Sequence, residues 1–131
     1  MRLVTFTHSS STRLGVLNGE SITDLSRAVP ELPTEMNAFL RAGDGAIETA
    51  RTATSDDLAL KEVELHSPVP HPGKVLAVAL NYRDHLEEVQ AAMPDFATPK
   101  TPMLFTKQNS SVTGPFAPID LPPESEQLDY A

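Results

Sequence analysis

The chain has 131 residues with 18 acidic and 10 basic side chains, a formal net charge of −8, 12 prolines and no cysteine. Such a balance argues against nucleic-acid binding and against a polybasic membrane patch, and without thiols there are neither disulfides nor thiolate metal sites. No apolar run approaches a membrane span, and Met1-Arg2-Leu3-Val4 leads into polar Thr and Ser rather than a signal core, so a cytoplasmic protein of one modest domain or two small lobes is expected.

Residues 1–25 read as a β-meander. Leu3 to Thr7 is rich in β-formers, and Arg13 to Leu17 and Glu20 to Leu25 flank Asn18-Gly19, a strong two-residue hairpin signal. The polar run His8-Ser9-Ser10-Ser11-Thr12 reads as a surface loop, since no G-x-S-x-G elbow supports a serine hydrolase. Ser26 to Val29 allows one helical turn. Thr34 is placed to cap a helix through Met36, Phe39 and Leu40 that ends at Gly43, and Ala46 to Ala53 predicts a second, polar helix. With few large apolar residues, this helical segment is expected at the surface. Leu58 to Leu65 reads as one short strand. Pro68, Pro70 and Pro72 then alternate ahead of Gly73, a stiff connector. It sets the expected boundary, with 1–66 as an N-terminal β-rich lobe, 67–73 as the connector and 74–131 as a second domain. His66 and His71 flank it without a carboxylate or Cys at a metal-binding spacing.

Residues 74–88, KVLAVALNYRDHLEE, are the most informative stretch. Val75 to Leu80 is an unbroken apolar run, as expected of a strand covered on both faces. Asn81 is an N-cap type, and Tyr82, Leu86, Val89 and Met93 recur at helical spacing until Pro94 ends the helix. That wheel buries Tyr82, Leu86 and Val89 and leaves His85 and Glu88, three apart, as neighbours on the open side. A carboxylate beside an imidazole orients it and raises its basicity, which suits a general base or a water activator. An ordinary solvated pair is the alternative. Met103 to Lys107 predicts a strand, with turns at Gln108 to Ser111 and Thr113-Gly114-Pro115. Phe116 to Leu121 predicts an edge strand, because Pro118 suits no central one, and Gln127 to Ala131 the start of another.

LAVALNYRDHLEE, then Phe105-x-Lys107, Gly114-Pro115 and Leu128-Asp129-Tyr130, resembles the fumarylacetoacetate hydrolase family, whose smaller members carry N-Y-x-x-H-x-x-E after a buried strand. The likeness covers Ser67 to Tyr130. It implies an α+β, β-rich fold, a small N-terminal β-meander lobe followed by the incomplete start of a mixed β-roll. It also implies C–C hydrolysis, decarboxylation or isomerisation of a small oxo or diketo acid by a homodimer. His85 and Glu88 take the catalytic positions. Lys107 and Tyr82 are the substrate-binding candidates, with core packing as the competing role for Tyr82. The family's cofactor is a divalent cation, Mg2+ (or Mn2+/Ca2+), held by two glutamates that continue L-D-Y as E-x-E and by a later aspartate. Ala131 stands at the first of those positions, so the metal ligands are absent from this chain. Residues 1–131 alone are therefore expected to bind Mg2+ weakly and to turn nothing over, as a truncated relative or a binding module.

Overall fold

The computed structural model describes residues 1–55 and 58–126; the strand expected at 127–131 lies outside them. The chain divides into two compact units, residues 1–70 with the stretch from Thr113 onward in one and His71–Val112 in the other.

In the first unit, β1 (Leu3–His8), β2 (Ser11–Asn18) and β3 (Ser21–Asp24) form the expected meander. β1 and β2 pair antiparallel from Leu3 with Val16 to His8 with Ser11, so the first loop shrinks to Ser9-Ser10. Both serines have positive φ, 50° and 62°, the mark of a type I′ turn made without glycine. Arg13 braces it, its Nη1 donating to the carbonyls of His8 and Ser11 at 3.1 Å each. The second turn is centred on Gly19-Glu20 rather than Asn18-Gly19, because Asn18 pairs with Ser21. Gly19 supplies the positive φ, 62°, that a type II′ turn needs at its first central position.

Leu58 to Leu65 is not one strand. β4 (Leu58–Ala59) pairs with β3, a 3-10 turn covers Leu60–Glu62, and β5 (Glu64–Leu65) pairs with β1, giving the order β4-β3-β2-β1-β5. Five flat strands would hold their edges about 19 Å apart. The connection from Ala59 to Glu64 through that turn reaches about 13 Å. The sheet therefore curls into a half-barrel.

Directly paired residues share a face, so Leu14 and Val16 lie on one side with Leu3 and Thr5. They pack with Leu25 of α1 (Leu25–Ala28), Met36 and Phe39 of α2 (Met36–Arg41), and Ala46 and Ala50 of α3 (Asp44–Thr52). The helical segment is thus core rather than surface. Two large residues suffice because the alanines of α3 present little bulk to the cluster. Glu35 rather than Thr34 caps α2, its carboxylate accepting from the amides of Asn37 and Ala38 at 3.0 Å.

On the other face Phe6 and Ile22, both fully buried, meet beside Gly15. A Cβ there would collide with Cγ2 of Ile22 and lie 2.9 Å from Cε1 of Phe6 and 3.0 Å from the Thr23 carbonyl oxygen. Gly15→Ala is expected to cost about 1–3 kcal/mol through overpacking, read as a lower urea midpoint at unchanged slope. An unchanged midpoint would mean that the Ile22 side chain yields freely.

In the second unit β6 (Val75–Ala79) and β7 (Met103–Lys107) make a two-stranded antiparallel ribbon, with α4 (Arg83–Ala92) between them in sequence. The expectation of a strand covered on both faces fails. Leu76 is 60% exposed, and Val78 and Leu104 are exposed as well, since two strands and one short helix offer too little surface to bury both faces. Phe116 to Leu121 forms no strand either. The amide of Ala117 donates to the Gly114 carbonyl in a turn, while Pro115 and Pro118 lack the donors a ladder requires. Among the described residues no helix is long and apolar enough to cross a membrane.

Candidate functional site

The site is built where β6 gives way to α4. Leu80 takes a positive φ of 51°, a region that costs a non-glycine residue about 1–3 kcal/mol, and so redirects the chain between strand and helix. The helix starts one residue later than Asn81 suggests. Tyr82 is the N-cap, with φ −118° and ψ 142°, and its carbonyl accepts from the amide of Leu86 at 3.1 Å. A residue with extended dihedrals no longer follows the helical wheel. Tyr82 is accordingly 74% exposed rather than buried, whereas Leu86 and Val89 are half-buried as their spacing predicts.

His85 and Glu88 both lie exposed on α4. No hydrogen bond or ion pair joins them, so the carboxylate is a neighbour of the imidazole without holding it. An imidazole can take up and return a proton near neutral pH, and a carboxylate three residues along the helix is its neighbour on the same face. Lys107 lies apart. It pairs with Val75, at the end of the ribbon away from Leu80 and about 13 Å along the strand from Ala79. Its ammonium stands 5.8 Å from the centroid of the Phe105 ring.

Other groups meet at the α4 end, and the sequence reading did not single them out. Gln90 donates from Nε2 to the Phe96 carbonyl and to Oγ1 of Thr98, each at 3.3 Å, tying the following loop to the helix. A concavity of about 280 Å³ opens beside that loop, lined among others by Leu80, Asn81, Leu86, Thr98, Lys100 and Thr101. Gln90 directly follows Val89 and so borders the apolar stripe, a signal available in the sequence. Nothing about a leucine announces a left-handed backbone at Leu80.

His66 serves the sheet. Its Nε2 lies 2.7 Å from Oγ1 of Thr7, which in turn lies 2.6 Å from Oγ1 of Thr12. Among the described residues no three His, Asp or Glu side chains come together where they could hold a metal ion. The described residues therefore do not fit the divalent cation that the resemblance implies.

A curled sheet backed by short helices, followed by a strand–helix unit that presents an imidazole and a carboxylate, defines a sheet-rich α+β protein of fumarylacetoacetate hydrolase type. An HpcE protein from Mycobacterium smegmatis has the same arrangement at TM-score 0.76 and 32% identity, over 94% of this chain and 41% of that one. Residues 74–131 match the model described as fumarylacetoacetate (FAA) hydrolase C-terminal. Residues 74–131 belong to the fumarylacetoacetate hydrolase family. The mitochondrial oxaloacetate tautomerase Fahd2a of Rattus norvegicus is 38% identical across 99% of this chain and 42% of its own length. A maleylpyruvate hydrolase from Sphingobium sp. SYK-6, solved with manganese(II) and pyruvate, is 30% identical at TM-score 0.58, over 94% of this chain and 43% of that one. The chain thus spans about two-fifths of the length of these relatives.

Proposed function

We propose that the chain acts on a small oxo acid by proton transfer, with His85 as general acid and base and Glu88 as its neighbouring carboxylate on α4. The observation that carries this is the pair's exposed placement on α4 directly after β6, in a chain 36% and 38% identical to oxaloacetate tautomerases of Xenopus laevis and Rattus norvegicus over nearly its whole length. Tautomerisation is balanced by these groups alone. The C–H bond beside the carbonyl breaks, its proton passes to the imidazole, and the electron pair moves onto the carbonyl oxygen. The imidazolium then returns a proton to that oxygen. Exposed Tyr82 is available to the substrate beside His85; Lys107, at the far end of the ribbon, remains the weaker substrate-binding candidate.

C–C hydrolysis and decarboxylation belong to the same family reading, but they leave an enolate that a cation must stabilise. The manganese in the maleylpyruvate hydrolase structure supports a divalent cation, Mg2+ or Mn2+, for the family's reaction. The second reading of residues 1–131 is a binding module without turnover, and the comparison with His85→Ala below separates the two. We extend the proposal to a homodimer in the cytoplasm, supported by the exposed apolar faces of β6 and β7; the mitochondrial names of the vertebrate relatives make cell fractionation the check on the location.

The test follows the ultraviolet absorbance of enol-oxaloacetate, beside an acylpyruvate cleavage assay, with and without Mg2+ or Mn2+. Enol–keto conversion is expected, and His85→Ala should slow it about 10²–10⁴-fold, the usual contribution of a positioned acid/base. Acylpyruvate cleavage is expected to stay at background. Equal enol conversion by the chain and His85→Ala would leave only the binding module.

A further inference from the structure

We infer that Lys100 binds the substrate carboxylate, in the concavity between the end of β6 and the loop that precedes β7. The inference rests on the oxo-acid reading above and adds a residue and a place to it. A small oxo acid presents one or two carboxylates that need a cation and hydrogen-bond donors, and a carbon skeleton that tolerates apolar walls. Lys107, the lysine of the F-x-K motif, lies at the other end of the ribbon. Lys100 is the only charged residue lining this concavity among the described residues, and none of the described carboxylates lines it to compete with a ligand. In a chain of formal net charge −8, a lone cation in a recess free of acids is a local reversal of sign that favours an anion.

The other lining groups suit the same ligand. Asn81 offers an amide, Thr98 and Thr101 offer hydroxyls, and Leu80 and Leu86 offer apolar contact. Leu86 is the residue after His85, so the recess opens beside the helical turn that carries the proposed acid/base. Two restraints fix this arrangement. Gln90 clamps Thr98 and the Phe96 carbonyl to α4, and the left-handed Leu80 sets how the helix leaves the strand. A volume of about 280 Å³ admits a three- or four-carbon acid with some water and is too small for a nucleotide or a peptide.

The experiment titrates sodium pyruvate into the ¹⁵N-labelled 131-residue chain and follows the amide resonances, with methyl pyruvate as the uncharged comparison. Pyruvate is expected to shift the amides of Asn81, Thr98, Lys100 and Thr101, and methyl pyruvate to shift them far less. Lys100→Met keeps the stem, removes the charge and should weaken pyruvate binding about tenfold, the usual effect of losing a charge-assisted hydrogen bond. Lys100→Arg should restore most of it, and Lys61→Met, at an exposed lysine of the first unit, should leave it unchanged. The inference falls if Lys100→Met binds pyruvate as the parent chain does, if methyl pyruvate binds equally well, or if pyruvate produces no shifts at these amides. Because none of these readouts involves His85, proton-transfer activity that survives in the parent chain and is lost in His85→Ala would then uphold the oxo-acid reading while this site is abandoned.

Discussion

Asp24→Ala is expected to destabilise the first unit by about 3–5 kcal/mol, the cost of stripping a buried charge of its partner. The Asp24 side chain is 0% exposed and that of Arg13 14%, with Nε donating to Oδ2 at 2.7 Å. The other carboxylate oxygen accepts from the amide of Ser26 at 3.0 Å and caps α1. Arg13 also lies 5.3 Å over the Phe6 ring and holds the His8 and Ser11 carbonyls around the Ser9-Ser10 turn. One substitution therefore leaves a guanidinium uncompensated at the closed end of the first hairpin and frees a helix start. Native-state amide exchange at Leu14 and Val16 measures the loss within this unit. The double variant Arg13→Met/Asp24→Ala should recover part of it, because removing both charges leaves neither one buried and alone. A loss below about 1 kcal/mol would show that water reaches Arg13 and that the pair behaves as a surface one.

Phe39→Ala should also cost about 3–5 kcal/mol, from lost burial and the cavity left among Leu14, Met36 and Ala50. Its neighbour Leu40 is half exposed, and Leu40→Ala should stay within about 0.5–1 kcal/mol, in the range of substitutions outside a packed core. Urea midpoints of the two variants settle whether α2 is a structural wall of the sheet or a surface appendage. Similar midpoints would remove α2 from the core.

The composition of residues 34–53 conceals that role. Phe39 and Met36 are the only large residues the segment contributes to the buried cluster, and a count of apolar residues misses the packing value of Ala46 and Ala50. At the candidate site, periodicity placed Leu86 and Val89 inward and His85 and Glu88 outward, as α4 shows. It misplaced Tyr82 because a wheel assumes helical dihedrals, and the N-cap has extended ones. Lys107 was grouped with His85 through a motif, although motif order gives no distance. The antiparallel register sets the lysine opposite Val75, with the length of the ribbon between it and Leu80.

By itself, the sequence determined the meander, the strand–helix unit at 75–92 and the outward face that carries His85 and Glu88. These follow from local rules, namely alternation along a strand, glycine at a tight turn and the 3.6-residue period of a helix. What the tertiary structure decided was register, closure and proximity. A turn at Asn18-Gly19 and one at Gly19-Glu20 both keep Ile22 on the same face as Gly15, so hydrophobic pattern cannot choose between them. The observed turn brings Asp24 opposite Gly15, and the same β3 pairs with Leu58 and Ala59. The curl of the sheet comes from the short link between β4 and β5, which joins its two edges. Lys100 reaches the His85 end of the ribbon because β7 runs antiparallel to β6, bringing the loop before Met103 back to Ala79. Such pairings join residues far apart in the chain, and no local preference encodes which of them form.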